Sequence, residues 1–192
     1  MGTNKDLHKT FYRYQKEAAN GDVEAQYNLA KLFYEGEGTE KNLEKAFYWY
    51  QKAAESGLEL AMNSLAKCYE NGEGTEKNLE KAINWYQKAA ENGDETAQYN
   101  LALMYQKGEG TEKNLEKAID WYQKAAESGS ELAQNNLGIL YKKGEETEKN
   151  FEKAFYWYQK AAESGYIKAQ YNFGYSYLKG EGTEENFEKA FY

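Results

Sequence analysis

The sequence predicts an all-α fold, a solenoid of stacked antiparallel helix pairs, and three observations support this. The chain of 192 residues repeats with a period of 36 residues, without insertions or deletions. Each unit contains two stretches with the apolar spacing of an amphipathic helix. Glycines stand at fixed positions between the stretches, where a left-handed residue ends a helix at low cost. One helix pair could not bury its apolar stripe alone, so the units are expected to stack into one continuous domain.

Identical residues at fixed spacing define the units. The dipeptide Trp-Tyr begins at Trp49, Trp85, Trp121 and Trp157. We predict a partial repeat with only a second helix at 1–20, four repeats at 21–56, 57–92, 93–128 and 129–164, and a truncated repeat at 165–192. Neither end carries a dedicated polar cap, so the chain is expected to be a fragment of a longer array.

Each unit is predicted to contain two helices with apolar faces. In the first unit, the stripe of the first helix contains Ala25, Leu29, Leu32 and Phe33. The stripe of the second contains Leu43, Ala46, Phe47, Tyr50 and Ala54. The first helix is expected to end at Gly36, and the second to begin at an N-cap supplied by either Asn42 or Thr39. The tryptophans flank the second stripe and are interpreted as packing between repeats, with a ligand-stacking ladder as the alternative.

Composition excludes several classes of function. The chain has 32 acidic and 24 basic residues, a net charge of −8, which opposes nonspecific binding to nucleic acid or anionic membranes. No apolar stretch is long enough to cross a bilayer. The single cysteine, Cys68, cannot form an internal disulfide, which favours a cytoplasmic, intracellular protein.

The repeated unit resembles a known family. The pattern Ala-Gln-Tyr-Asn-Leu-Ala, Gly-Glu-Gly-Thr-Glu-Lys-Asn-Leu-Glu-Lys-Ala and Trp-Tyr-Gln-Lys-Ala-Ala-Glu is similar, over residues 5–192, to the Sel-1-like repeat, a relative of the tetratricopeptide repeat. The resemblance implies a right-handed superhelix whose first helices line a concave face. It also implies an adaptor or scaffold role, in arrays often attached to signalling or kinase domains. One departure is Glu146, which replaces the second loop glycine and is expected to distort the loop of the fourth unit.

The residues required for catalysis are absent from the pattern. His8 is the only histidine and is expected at the surface. Cys68 is predicted to be a buried, inert thiol, because Leu32, Met104 and Leu140 occupy its column in other repeats. The Gly36–Gly38 loop is interpreted as a helix stop, since Glu37 would repel a phosphate. We therefore predict a non-enzyme with no catalytic residue, no metal site and no cofactor.

Columns that differ between near-identical units are not dictated by stacking, so they are candidates for partner recognition. The predicted partner-binding residues are Tyr27, Asn28, Lys31, Tyr34, Asn63, Lys67, Tyr99, Asn100, Leu103, Asn135, Asn136, Ile139, Tyr171, Asn172 and Tyr175. Tyrosines provide contact area at low entropic cost, and amides bond a peptide backbone. The asparagine column that begins at Asn28 either clamps the main chain of a ligand or bonds a neighbouring repeat.

The sequence therefore predicts a protein–protein interaction module that captures a peptide or helix of a partner in the concave groove. The alternative is a structural spacer or regulatory array of a larger, kinase-linked signalling protein. A more remote alternative is a hydrolase. The resemblance implies this alternative, because secreted members of the family bind β-lactam-like compounds. The open repeat faces at both ends also allow end-to-end self-association.

Overall fold

The computed structural model describes residues 4–144 and 148–191, and within these ranges it contains helices and no strands. The predicted fold class is confirmed: each complete unit contains two helices joined by short loops. Glu146 lies outside the described residues. The helices are α1 (Asn4–Ala19), α2 (Val23–Glu35), α3 (Leu43–Glu55), α4 (Glu59–Asn71), α5 (Leu79–Glu91), α6 (Glu95–Lys107), α7 (Leu115–Glu127), α8 (Glu131–Lys143), α9 (Phe151–Glu163), α10 (Ile167–Lys179) and a short 3-10 helix (Lys189–Phe191).

The chain divides into two compact units, residues 1–97 and 98–192, with the division inside α6. In the first unit, α1 packs on α2, α2 on α3, α3 on α4 and α4 on α5. In the second unit, α7 packs on α8, α8 on α9 and α9 on α10. Short loops make consecutive helices antiparallel neighbours.

Asparagine caps the second helix of each pair. The Asn42 side chain accepts a hydrogen bond of 2.8 Å from the backbone N–H of Lys45, and its backbone is extended, as an N-cap requires. This contact decides between the two predicted caps in favour of Asn42 over Thr39. The same contact is made by Asn78, Asn114, Asn150 and Asn186.

The two loop glycines have different roles. Gly36 has a φ of 77° and its N–H donates to the carbonyl of Leu32, so it ends α2 as predicted. Gly74 also has a positive φ, of 71°, and a Cβ added there would clash with the carbonyl oxygen of Leu43, at the start of the preceding second helix. The sequence indicates only the helix-ending role of this loop. The second glycine also lets one repeat approach the next closely.

The core contains most of the predicted stripes, in which Leu43 and Phe47 are only half-buried, together with buried glutamines at Gln26, Gln98 and Gln134. The first-helix residues Ala25, Leu29, Leu32 and Phe33 are buried, as are the second-helix residues Tyr50, Tyr86, Tyr122 and Tyr158. Gln26 is also buried, and its amide donates to the carbonyl of Ala18 at 3.4 Å. Gln134 does the same to Ala126 at 3.0 Å. Each carbonyl lies in the last turn of the preceding second helix and also accepts from the N–H of the following glycine, Gly21 or Gly129, so the amide is its second donor.

Replacing Gly74 by alanine tests the close approach of the loop. We expect Gly74→Ala to lower the free energy of unfolding by about 2–4 kcal/mol, because the Cβ meets the Leu43 carbonyl and the φ is positive. Gly57→Ala is the control, since Gly57 also has a positive φ but nothing lies within 4 Å of its added Cβ. The control is expected to cost about 1 kcal/mol. Equal losses in urea unfolding would contradict the role of close approach.

Candidate partner-binding face

The predicted site residues all lie on first helices. We call their positions the first-helix face: columns 27, 28, 31 and 34 of α2 and the equivalent residues of α4, α6, α8 and α10. Helical spacing of three and four residues places these columns on one side of each helix. The two compact units carry separate parts of this face.

In the first unit, the face contains a small cavity. Four predicted residues, Tyr27, Lys31, Tyr34 and Lys67, come together around a volume of about 240 Å³ between α2 and α4. Lys31 and Lys67 are exposed, whereas Asn63 is buried. The structure therefore gathers four of the six residues predicted here.

The tyrosines of this cavity also have structural roles. The Tyr27 ring lies 5.8 Å from the ring of the buried Tyr50, and the Tyr34 ring lies 6.5 Å from it. The Tyr34 hydroxyl donates to the Glu73 carboxylate at 3.1 Å. Burial, and then this hydrogen bond, raise the pKa of Tyr34. Both rings therefore cover a core residue as well as line the cavity.

In the second unit, several asparagines bond neighbouring repeats. Asn172 donates to the side chain of the buried Asn135 at 3.0 Å, and Asn136 donates to the Tyr122 hydroxyl at 3.2 Å. Asn28 and Asn100 make no side-chain hydrogen bond to the rest of the described chain. Two amides of this column, those of Asn136 and Asn172, thus join neighbouring repeats, and the ligand-binding role of the column stays a prediction.

Column 34 supplies acceptors for the core tyrosines. The Tyr86 hydroxyl donates to the Glu70 carboxylate at 2.6 Å, and the Tyr122 hydroxyl donates to the Gln106 side chain at 2.7 Å. From the sequence, column 34 is expected to vary freely between repeats. In these two repeats it is restricted to side chains that accept a hydrogen bond.

The helix-ending loops also contact column 34, which the sequence analysis missed. Glu73 accepts from Tyr34, and Glu181 lies 2.6 Å from the ammonium of Lys142. In both cases the glutamate follows a helix-ending glycine and meets the preceding repeat. The available signal was a constant glutamate, at Glu37, Glu73, Glu109, Glu145 and Glu181, beside a variable column.

Column 31 is the accessible part of the face. Lys31 and Lys67 are exposed, and their equivalents Leu103, Ile139 and Tyr175 are half-buried. Tyr175 stacks with Tyr171, with ring centroids 6.4 Å apart, and the Lys142 ammonium lies 4.4 Å from its ring.

Tyr171 is the most exposed tyrosine of the face, at 72%. Its equivalents Tyr27 and Tyr99 pack on second-helix tyrosines, with the Tyr99 ring 5.7 Å from that of Tyr122.

The comparisons with known proteins agree with this geometry. The Sel1 repeat pattern matches residues 23–58, 60–94, 96–130, 132–166 and 167–192. The chain belongs to the Sel1 repeat family. None of the curated proteins matches it in sequence.

Solved structures of Sel1 repeat proteins share the fold. The chain is 34% identical to a Sel1 repeat protein from Oxalobacter formigenes, with a TM-score of 0.89 over 98% of this chain and 80% of that one. It is 29% identical to c5321, a protective antigen of uropathogenic Escherichia coli with an SLR fold, with a TM-score of 0.90 over 98% of this chain. The match spans 44% of the length of c5321. Cysteine-rich protein B of Helicobacter pylori is 29% identical, with a TM-score of 0.55 over 69% of this chain and 95% of that one.

The histidine and the cysteine of this Sel1 repeat protein lie where the sequence predicts. His8 is exposed, as predicted. Cys68 is buried, as predicted, and burial raises the pKa of its thiol to about 12. Within residues 4–144 and 148–191, no cluster of three metal-ligating side chains occurs, and no helix is long and apolar enough to cross a membrane. Sel1 repeats are typically non-catalytic modules that bind protein partners.

The tryptophan column is half-buried on the second helices. The Lys88 ammonium lies 4.2 Å from the Trp85 ring, and the Lys124 ammonium lies 3.9 Å from the Trp121 ring. These cation–π contacts join residues one turn apart on the same helix. They cover one face of each of these two rings.

Replacing Gln106 tests the structural role of column 34. Gln106→Ala leaves the buried Tyr122 hydroxyl without its acceptor, so we expect a loss of about 1–3 kcal/mol in the free energy of unfolding. Gln106→Glu is the matched control, because Glu70 accepts the same bond from Tyr86. Urea unfolding should show little change for the control. A neutral Gln106→Ala variant would refute the assignment.

Alkaline pH is expected to unfold the protein through its buried acids. Burial raises the pKa of Cys68 from 9.0, and that of Tyr158 from 10.0, to about 12 in each case. Because each folded-state pKa is the higher one, the stabilisation is complete below the unfolded pKa. It is lost as pH rises from 9 to 12 for Cys68 and from 10 to 12 for Tyr158, by about 1.4 kcal/mol per pH unit for each group. Circular dichroism against pH measures this loss. Cys68→Leu, which matches Leu32 and Leu140, should shift its onset upward.

Proposed function

We propose that this Sel1 repeat protein is a non-enzymatic interaction module that binds a peptide or helical segment of a partner protein on its first-helix face. One observation carries the proposal: column 31 varies between near-identical repeats and stays accessible, while much of columns 27, 28 and 34 is used inside the protein. Stacking alone does not require this variation.

The residues of column 31 suit recognition of a protein segment. Lys31 and Lys67 provide exposed charges beside a cavity with aromatic walls, and Leu103 and Ile139 provide apolar contact area. Interfaces of this kind combine a desolvated apolar centre with a polar rim. The amides of Asn28 and Asn100 lie in the next column, where they can bond the main chain of a ligand.

Selection from a displayed library of random peptides tests the proposal. The protein is compared with a column-swapped variant, Lys31→Leu, Lys67→Ile, Leu103→Lys and Ile139→Lys. Leucine, isoleucine and lysine all occur in column 31 already, and the four substitutions together leave the net charge unchanged. The variant is therefore expected to fold. Peptides enriched on the protein are expected to bind the swapped variant at least about tenfold more weakly, because the swap exchanges charged and apolar side chains in column 31 of each unit.

The control carries substitutions on the second helices. Tyr48 and Tyr156 are half-exposed there, and their column also contains Asn84 and Asp120, so Tyr48→Asn with Tyr156→Asn is a matched change. The control should keep its affinity for the selected peptides. Peptides that tolerate the swap but not the control would place binding elsewhere.

The alternative function is a structural spacer or regulatory array within a larger signalling protein. The partial coverage of c5321, 44%, shows that a stretch of this size occurs within a longer Sel1 repeat protein. A spacer predicts that no peptide is enriched on the protein over the swapped variant.

A further inference from the structure

The first-helix face of the second unit combines apolar and basic residues in two parallel columns. Column 31 there contains Leu103, Ile139 and Tyr175. Column 35, one helical turn further on, contains Lys107, Lys143 and Lys179, and all three lysines are exposed. Residues four apart lie next to each other on a helix, so each first helix places a lysine beside an apolar side chain.

The first unit has the opposite arrangement. Column 31 contains Lys31 and Lys67, and column 35 contains Glu35 and Asn71. Lysine near the end of a helix is favoured by the helix dipole. However, Glu35 and Asn71 occupy the same place in the same fold, so helix stability does not require the lysines of the second unit.

The three helices that carry these columns are neighbours. Tyr122 of α7 bonds both Gln106 of α6 and Asn136 of α8, and Asn172 of α10 bonds Asn135 of α8. Packed helices lie about 8–10 Å apart, so the two columns run side by side for about 20 Å. This length matches about six residues of extended chain or about thirteen of a helix.

Column 34 lies on the side of column 31 that faces away from the basic column, and its Lys142 is already paired. The Lys142 ammonium lies 2.6 Å from the Glu181 carboxylate and 4.4 Å from the Tyr175 ring. The Lys179 ammonium lies 6.0 Å from the same ring. The protein thus holds carboxylates of its own at this face: Glu181 beside Lys142, and Glu109, whose carboxylate lies 3.6 Å from the ammonium of Lys107.

We infer that the face formed by α6, α8 and α10 binds an acidic protein segment that carries regularly spaced apolar side chains. The apolar side chains pack on Leu103, Ile139 and Tyr175, and the carboxylates pair with Lys107, Lys143 and Lys179. This inference rests on the proposed function and names its partner. Charge complementarity is its main support. The net charge of the chain is −8, yet column 35 of this face consists of lysines.

A peptide is a better fit to this face than a nucleic acid. The apolar column would not pair with a phosphate backbone, and Glu181 would repel one. The net charge of −8 opposes a long polyanion, whereas a short acidic segment meets mainly the local lysines. Tighter binding of an oligonucleotide on the same lysines would therefore contradict the inference.

Fluorescence anisotropy with the full chain tests the inference. Two labelled acidic peptides carry three leucines among glutamates, spaced every third residue in one and every seventh in the other, for extended and helical binding. Twin peptides carry lysine in place of glutamate. At least one acidic peptide should bind about tenfold tighter than its twin at low salt, and added salt should reduce the difference.

The variants use residues that the chain already has at the same positions. Lys107→Asn, Lys143→Asn and Lys179→Asn follow Asn71, and each is expected to weaken binding of the acidic peptide about threefold. Leu103→Lys with Ile139→Lys follows Lys31 and Lys67 and is expected to weaken it at least about tenfold. The control replaces Lys117, Lys124 and Lys160 of the second helices by asparagine, which gives the same net charge as the triple variant. Its affinity should be unchanged.

Three results would overturn the inference. The first is equal binding of the acidic and lysine peptides, and the second is an equal loss of affinity in the triple variant and its control. The third is a single-stranded oligonucleotide that binds more tightly than the acidic peptides and depends on the same lysines. Selected peptides that require column 31 but lack acidic residues would refute this inference alone. A selection with no peptide that requires column 31 would refute the proposed function.

Discussion

The buried tyrosine of each second helix constrains much of the structure around it. Its ring fills the space between the two helices of a repeat, and its hydroxyl needs a hydrogen-bond partner there, because a buried polar group without one costs about 1–3 kcal/mol. In two repeats the partner comes from column 34, as Glu70 or Gln106. The tyrosine hydroxyl therefore links the core to the first-helix face. Column 34 varies in sequence, but in these two repeats its side chain must accept a hydrogen bond.

The same constraint explains which side chains remain for a partner. Tyr27 and Tyr99 cover the rings of Tyr50 and Tyr122, and Asn136 bonds the Tyr122 hydroxyl. Column 31 lies one turn away from these contacts and can change between repeats without disturbing a buried polar group. It is lysine in two repeats and leucine, isoleucine or tyrosine in the others. Specificity can therefore change in this column at little cost to the fold.

Local pattern was sufficient to predict most of the fold. Apolar spacing located the stripes that contain Leu29 and Tyr50, and loop composition located Gly36. The local pattern could not predict the burial of Gln26. Its amide is polar, and its partner, the Ala18 carbonyl, is brought close only by the loop between α1 and α2. The choice between Asn42 and Thr39 likewise depended on loop geometry. The second loop glycine was missed as a packing residue because its neighbour, Leu43, belongs to a different repeat.

The candidate site was less predictable, since exposure depends on contacts between repeats. Asn63 and Asn28 are the same residue type in adjacent columns, yet Asn63 is buried and Asn28 is half-buried. The glutamate of each helix-ending loop is constant, but its partner changes from the Tyr34 hydroxyl to the Lys142 ammonium. A carboxylate can accept from either group, so one constant residue joins repeats whose column 34 differs. The array can therefore vary its first-helix face while it keeps the same contacts between neighbouring repeats.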